Sequence, residues 1–230
     1  MFYLNKKEAR LIILQRIELL SIFLKKIRKT FGRYFFSRFI SKYFLLPKNV
    51  GVDYFNNMQD EFRSIEKHIN LNNKNFLSIG GGLGGLELII DRNLQVNSFN
   101  FIERNFISKK VKYGWDSKNE EAYNNISSQK NFLIRNGMLP SKFKIFDYDN
   151  DKLPTEKFDF IISLFSLDYH YDFNIYLEYM KNNTHKESKI IFDTIRPNYF
   201  LNIFKNVNIL MDRTKTIHSS KRIMCSEFLK

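Results

Sequence analysis

Residues 76–87 read Phe76-Leu77-Ser78-Ile79-Gly80-Gly81-Gly82-Leu83-Gly84-Gly85-Leu86-Glu87, and this stretch decides the fold. An apolar strand runs into a glycine-rich turn that opens directly into a helix. Five of the nine glycines of the chain stand within positions 80–85. Glycine has no Cβ and adopts positive φ readily, so the backbone here is expected to come close to a neighbouring group. Backbone N–H groups and the positive end of the helix dipole then point into the loop, which predicts a cradle for a nucleotide-like cofactor.

Two cofactor classes fit the glycine spacing. Gly80, Gly82 and Gly85 match the G-x-G-x-x-G fingerprint of dinucleotide-binding domains. Gly80, Gly82 and Gly84 resemble G-x-G-x-G, the first motif of class I S-adenosylmethionine-dependent methyltransferases. The next predicted strand ends at Glu103, where both classes carry a carboxylate that accepts hydrogen bonds from ribose hydroxyls. The glycines and Glu103 therefore leave the choice between the two classes open.

The segment after the third predicted strand favours the second class. An acid precedes Leu153-Pro154, and residues 158–164 form an apolar strand that begins Phe-Asp and ends Ser-Leu. This run resembles the corresponding part of class I methyltransferases. In that family the acid four positions before Leu-Pro contacts the adenine amino group, which implies this role for Asp149. The resemblance also implies that Tyr148 and Asn150 flank the adenine plane.

The resemblance covers about residues 70–230. It implies an α/β fold, a doubly wound, Rossmann-like, seven-stranded methyltransferase sheet that ends in a reversed hairpin near 207–211 and 222–228. It implies S-adenosyl-L-methionine as the cofactor, bound by the glycine loop and by Glu103. The loop residues expected to contact it are Gly80, Gly81, Gly82 and Gly84.

One position departs from the family pattern. Ser78 stands two residues before the first glycine, where the family usually has an acid. A polar contact near the methionine end of the cofactor is therefore left open by the sequence.

A histidine after the fourth strand is the candidate catalytic base. A hydroxyl acceptor must lose its proton during methyl transfer, and histidine is suited to that role near neutral pH. His170 follows the strand whose loop, in this family, faces the transferred methyl group. Asp168 is an alternative base or an orienting group. Asp193 and Arg196 are weaker candidates.

The acceptor is expected to be a small molecule. Residues 103–137 resemble bacterial methyltransferases that are associated with surface glycans, which favours the hydroxyl of a saccharide or glycan precursor. A loop at 107–116, with Tyr113 and Trp115, has the aromatic and basic composition that binds a sugar ring or an acidic substrate. A helix is predicted from about Asn119 to Asn136, with Gly137 as its C-cap.

The net charge of +13 is concentrated at the ends of the chain: residues 1–50 carry +10, whereas 51–204 carry −1. Residues 1–50 are predicted to be a basic amphipathic helical extension, and 51–230 the cofactor-binding domain. A helical cap on the core, an anchor on anionic lipid through residues 1–48, and an RNA contact all fit the extension. Nucleic acid is the least expected partner, because the core is nearly neutral.

Composition narrows the remaining alternatives. The single Cys225 excludes a disulfide framework, and the four scattered histidines predict no metal site. Nothing in the chain indicates export, so a cytoplasmic protein is expected, with peripheral contact at the inner membrane face as a further option. Two rival functions stay open: an NAD(P)-dependent oxidoreductase, and a non-catalytic module with a methyltransferase fold that docks to a membrane or a partner.

Overall fold

The computed structural model describes residues 1–69, 74–108, 121–215 and 219–229, without the side chains of residues 33 and 34. The helices are α1 Lys6–Gln15, α2 Ile22–Phe35, α3 Ser41–Tyr43, α4 Pro47–Arg63, α5 Gly85–Asn93, α6 Ile126–Arg135 and α7 Asn174–Asn182. The strands are β1 Asn75–Ile79, β2 Ser98–Glu103, β3 Phe143–Asp147, β4 Phe158–Ser163, β5 Thr184–Thr194, β6 Phe204–Arg213 and β7 Ser220–Phe228.

The strands form one seven-stranded sheet in the order β3-β2-β1-β4-β5-β7-β6. The pairs β1–β2, β1–β4, β2–β3 and β4–β5 are parallel. Strand β7 runs antiparallel to both β5 and β6. The order reverses between β1 and β4, so the carboxyl ends of these strands open a crevice at the topological switch point. The predicted doubly wound sheet with a reversed final hairpin is confirmed.

The central strands are buried on both faces, as continuous apolar runs in a parallel sheet require. Phe76 and Phe99 pack into one apolar cluster, while Leu77 and Ile161 pack into a second cluster on the opposite face. Helix α5 follows β1 directly and packs beside α4. The glycine loop is therefore held between a rigid strand and a rigid helix.

The N-terminal segment divides into two parts with different surroundings. Residues 1–20 pack into the first apolar cluster, where Phe2 and Ile12 are fully buried. Helix α2 is largely exposed and is interrupted at Gly32, where φ is +81°. After it, Phe36 and Ile40 are again buried in the first apolar cluster. Helix α4 runs across position 50. Residues 1–20 thus cover the core, and the exposed surface of the segment lies mainly on α2.

The helix predicted from Asn119 begins later, at Ile126. The side chain of Asn125 accepts a hydrogen bond from the Ser128 N–H and caps the helix at that point. Tyr123, which was expected in the helix, instead forms a β-bridge with Ile107. The predicted end is confirmed, because Gly137 has φ +101° and donates its N–H to the carbonyl of Ile134. Residues 109–120, with Tyr113 and Trp115, lie outside the described part of the chain.

A buried ionic cluster ties α4 to the C-terminal half of the sheet. Arg222, fully buried on β7, donates from Nη2 to Asp193 at 2.9 Å and from Nη1 to Glu61 at 2.6 Å. Arg213 donates a second set of hydrogen bonds to Glu61. Burial disfavours ionisation of Glu61, but the charges of Arg222, Arg16 and Arg213 outweigh it and lower its pKa to about 2. Asp193 is therefore engaged in this cluster.

Within the described ranges, no helix has both the length and the apolar character needed to cross a bilayer. Over the same residues, no group of three histidine, cysteine, aspartate or glutamate side chains is arranged to bind a metal ion.

Candidate functional site

The glycine loop connects β1 to α5 at the switch point of the sheet. Gly80 and Gly82 have φ of +65° and +67°, values that side-chain-bearing residues rarely adopt. A Cβ on Gly80 would lie 1.9 Å from the Ser166 Oγ, and one on Gly82 would lie 2.5 Å from the Gln15 Oε1. The loop is thus packed below the segment after β4 and beside the end of α1. Only glycine fits at these positions.

A cavity of about 320 Å³ lies in front of the loop. Its floor is the carboxyl ends of β1 and β2, and one wall is residues 14–18 at the end of α1. Residues 121–124, 164–166 and 169–171 also line it, together with residues of helices α2, α4 and α5. The lining therefore combines the loop that the sequence predicts with residues that are remote from it in the chain.

Glu103 places a buried carboxylate at the edge of this cavity. Its exposed fraction is 4%, and its Oε1 atom has no hydrogen-bond partner among the described residues. Burial raises the pKa of Glu103 well above its usual range, while hydrogen bonding from the Asn124 side chain and the loop backbone opposes the rise. A buried carboxylate oxygen is costly without a hydrogen-bond donor, so Glu103 fits a ligand that donates hydrogen bonds, such as a ribose diol.

A second buried carboxylate lies under the glycine loop. Ser78 and Glu87 both line the cavity, and the Ser78 hydroxyl donates to the Glu87 Oε1 at 2.5 Å. The other oxygen of Glu87 has no hydrogen-bond partner in the described part of the chain. Burial raises the pKa of Glu87 to about 6. The position that departs from the family pattern is therefore occupied by a serine that contacts an acid from the following helix.

The residues predicted to bind adenine follow β3, next to Arg104. The Asp149 carboxylate lies 3.6 Å from Arg104 Nη2, and the Arg104 guanidinium lies 4.8 Å from the centre of the Tyr148 ring. Asn150 donates from Nδ2 to Asp147 at 2.8 Å. Arg104 lines the cavity, whereas Tyr148, Asp149 and Asn150 are not among the lining residues. No sequence motif indicated Arg104, although its position directly after Glu103 could have done so.

His170 also lines the cavity. Its Nδ1 atom lies 4.0 Å from the Glu121 Oε2, which also accepts a hydrogen bond of 2.6 Å from the Tyr123 hydroxyl. The Tyr169 ring packs edge-on against the imidazole, with centroids 4.5 Å apart. Glu121 was missed because it lies far from His170 in sequence. The arrangement places a base beside an acid and two aromatic rings.

Asp168 does not line the cavity. It accepts hydrogen bonds from Thr194 Oγ1 at 2.6 Å and from Arg196 Nε at 2.9 Å, and its own φ is +60°. Its N–H donates to the Tyr171 carbonyl at 2.8 Å. These contacts hold in place the turn that carries His170, so Asp168 fits the role of an orienting group. Arg196 is likewise engaged with Asp168.

The end of α1 contributes residues that no motif indicated. Gln15 donates from Nε2 to the Tyr123 carbonyl at 2.8 Å and covers Gly82. Arg16 lines the cavity and lies 3.7 Å from Glu61 and 3.5 Å from Glu18. The N-terminal segment is therefore part of the site, so removal of residues 1–48 would open the cavity.

No protein-family model matches the chain, and no curated protein matches it significantly. Solved structures do resemble it. A candidate O-methyltransferase from Nostoc punctiforme is 12% identical with a TM-score of 0.50, over 77% of this chain and 61% of that one. Precorrin-6y C5,15-methyltransferase from Geobacter metallireducens is 12% identical with a TM-score of 0.48, over 73% and 87%.

Coclaurine N-methyltransferase, solved with N-methylheliamine and S-adenosylhomocysteine, is 13% identical with a TM-score of 0.42, over 63% of this chain. This chain spans 36% of the length of that protein. At these identities the likeness concerns the fold alone. The likeness to the Nostoc structure, together with the strand order, shows that the chain has the Rossmann-like fold of class I methyltransferases.

Proposed function

We propose that the protein transfers a methyl group from S-adenosyl-L-methionine to a hydroxyl of a small-molecule acceptor. The observation that carries this proposal is the buried carboxylate of Glu103 at the end of β2, beside the glycine loop. One of its oxygens has no hydrogen-bond partner among the described residues. S-adenosylmethionine, when bound, supplies a methyl carbon that is already activated by the sulfonium. The protein then has to align the acceptor and remove its proton.

The cavity residues fit this cofactor. Gly80, Gly81 and Gly82 line the cavity and would lie against the cofactor, with Gly84 completing the turn. Glu103 would accept hydrogen bonds from the ribose hydroxyls. Asp149, flanked by Tyr148 and Asn150, would bind the adenine end next to Arg104.

The electrostatics of the cavity argue against the nicotinamide alternative. A dinucleotide would bring a pyrophosphate of two negative charges to the glycine loop. Below that loop, the Glu87 Oε1 lies 2.9 Å from where a Cβ on Gly81 would stand. A carboxylate so close to the loop would repel a pyrophosphate, whereas S-adenosylmethionine brings an ammonium and a sulfonium. Titration with NADH tests the alternative, since binding of NADH without S-adenosylmethionine would refute the methyltransferase proposal.

His170 is the proposed general base. The acceptor oxygen forms a bond to the methyl carbon as the carbon–sulfur bond breaks, and the electron pair of that bond goes to sulfur. The acceptor proton passes to the imidazole of His170, and S-adenosylhomocysteine is released. Asp168 acts indirectly, because it holds the turn from which His170 reaches the cavity.

Replacing His170 by glutamine is expected to lower kcat by about 10²–10⁴-fold, the usual contribution of a positioned acid or base. Binding of S-adenosylhomocysteine should stay within about twofold of the unsubstituted protein, because His170 lies on the acceptor side. His185→Gln is the matched control, since His185 is remote and contacts Asp159. An unchanged kcat in His170→Gln, measured by transfer of a labelled methyl group, would remove His170 from the mechanism.

A saccharide or glycan-precursor hydroxyl is the proposed acceptor. Two aromatic rings, Tyr123 and Tyr169, stand beside His170 with the carboxylate of Glu121. Aromatic faces bind sugar rings and a carboxylate accepts hydrogen bonds from sugar hydroxyls, so this wall supports the choice. Labelled methyl transfer to a panel of sugar nucleotides and glycosides, set against phenols and amines of similar size, tests it. Transfer to the phenols or amines alone would refute it.

We also propose that the protein is cytoplasmic and contacts the inner face of the membrane. Residues 22–48 contain eight lysines and arginines and no acid. Along this segment the rings of Phe31, Phe35, Phe39 and Tyr43 form a ladder with centroids 5.2–5.5 Å apart, and each ring is 44–62% exposed. An exposed aromatic stripe beside basic side chains has the character of a helix that lies on anionic lipid.

The double variant Phe39→Ser/Phe44→Ser is expected to bind vesicles of phosphatidylglycerol and phosphatidylcholine at least about tenfold more weakly, because two exposed rings no longer insert. Leu139→Ser/Leu201→Ser, at exposed apolar positions elsewhere, is the control. Co-sedimentation should also fall with added salt. Equal binding by both variants, or concentration-dependent dimerisation that the first variant abolishes, would assign the stripe to another role.

A further inference from the structure

We infer that Glu87 binds the α-ammonium group of S-adenosylmethionine, and that it replaces from helix α5 the acid that position 78 lacks. This inference rests on the proposed function. It concerns a residue that no motif of the sequence indicated, and it answers the question that Ser78 left open.

The geometry brings position 78 and Glu87 to one point. Ser78 is the penultimate residue of β1, and Glu87 is the third residue of α5, with exposed fractions of 0% and 2%. A Cβ on Gly81 would lie 2.4 Å from the Ser78 Oγ and 2.9 Å from the Glu87 Oε1. The serine and the acid therefore lie together beneath the middle of the loop. A carboxylate at position 78 would compete with Glu87 for this space.

Ser78 also orients the acid. Its hydroxyl donates to Oε1, which leaves Oε2 as the oxygen without a hydrogen-bond partner among the described residues. A buried carboxylate with an open oxygen costs free energy unless a donor or a cation meets it. The first turn of a helix is favourable for an acid, but it does not satisfy that oxygen. An ammonium group of a ligand in the cavity would satisfy that oxygen.

Among the described residues, no hydrogen-bond donor meets the Oε2 atom of Glu87. Burial raises the pKa of Glu87 to about 6, against the Ser78 hydrogen bond, a hydrogen bond from its own backbone and the charge of Arg16. Burial is also the main cause that raises the pKa of Tyr54 and of Glu103, and the charge of Glu87 adds to both. Glu103 stands at the end of the adjacent strand, on the ribose side. Glu87 is therefore the acid available to the methionine end.

Two ligands separate the role of Glu87 from a general effect on the pocket. S-adenosylhomocysteine carries the α-ammonium group, whereas 5′-methylthioadenosine has the same nucleoside and thioether without the amino-acid portion. By isothermal titration, Glu87→Gln should weaken binding of the first at least about tenfold, equivalent to about 1.4 kcal/mol, and leave the second within about twofold. Glu103→Ala is the matched variant and should weaken both.

A double variant returns the acid to position 78, where the family usually has it. In Ser78→Asp/Glu87→Gln the carboxylate comes from β1, and the preference for S-adenosylhomocysteine over 5′-methylthioadenosine should return. Glu87→Gln keeps the acceptor for the Ser78 hydroxyl, so its midpoint of thermal unfolding without ligand should equal or exceed that of the unsubstituted protein. A residue with only a structural role would instead lower it.

The preference should also depend on pH. As the pH falls from about 8 to below about 6, Glu87 takes up a proton and the ratio of the two affinities should approach its value in Glu87→Gln. Titration of Glu103 affects the ribose, which both ligands contain, so it largely cancels in the ratio. Tyr54 stays neutral over this range, because burial raises its pKa.

Three results would overturn the inference: equal losses for both ligands, no loss for either, or a pH-independent ratio. Failure of the unsubstituted protein to bind either ligand would instead refute the proposed function itself. The two failures are thus distinguishable in one set of titrations.

Discussion

Glu103→Ala is expected to reduce the affinity for S-adenosylmethionine and S-adenosylhomocysteine by about 100-fold or more. The carboxylate would accept two hydrogen bonds from the ribose hydroxyls, and hydrogen bonds to a charged group contribute about 1.5–3 kcal/mol each. Isothermal titration measures the loss. An affinity within about threefold of the unsubstituted protein would contradict the assignment of Glu103 to the cofactor.

The stability of the same variant provides the control. Burial raises the pKa of Glu103, so the native state disfavours its charged form and gains no stability from that charge. The variant without ligand should therefore unfold at a midpoint close to that of the unsubstituted protein. The rise in midpoint that S-adenosylhomocysteine produces should disappear. A large fall in the midpoint without ligand would indicate a structural role instead.

Arg222→Met is expected to lower the free energy of unfolding by about 3–5 kcal/mol, the cost of leaving a buried charge without its partner. The substitution removes the cation that lies between Glu61 and Asp193, both of which are buried. Urea unfolding monitored by circular dichroism measures the change. Arg63→Met is the matched control on α4, because Arg63 and Asp60 are largely exposed and such pairs contribute about 0.2–1 kcal/mol.

Glu61 gives this cluster a defined pH dependence. Its folded pKa of about 2 lies below the ordinary value of 4.5, so its ionisation stabilises the fold above about pH 4.5. That stability is lost as the pH falls toward 2. The difference in stability between the unsubstituted protein and Glu61→Gln should therefore be largest near neutral pH and shrink in acid. A difference that is constant between pH 7 and pH 3 would contradict the ion-pair account.

Local patterns were sufficient to predict the sheet and the loop. A run of buried apolar residues that ends in glycines, as in 76–85, specifies strand, turn and helix without reference to the rest of the chain. The resemblance to class I methyltransferases implied the seven-stranded sheet and its final hairpin. Glu103 could be proposed because its role depends on its position at the end of a strand.

Contacts between residues distant in sequence decided the rest of the site. Gln15 meets Gly82, and His170 meets Glu121, only because the chain folds back over the glycine loop. The start of α6 depended on a bridge between Tyr123 and Ile107, which left Asn125 to cap the helix.

Position 78 shows most directly the difference between what neighbouring residues determine and what tertiary contacts decide. The sequence by itself determined that a glycine loop follows a buried strand and that no acid precedes it, because these are properties of neighbouring residues. Only the tertiary structure decided that Glu87 brings a carboxylate to Ser78, nine positions along the chain. The reason is that helix α5 folds back against β1, and side-chain burial and hydrogen-bond geometry, which determine the charge in the cavity, exist only after that packing.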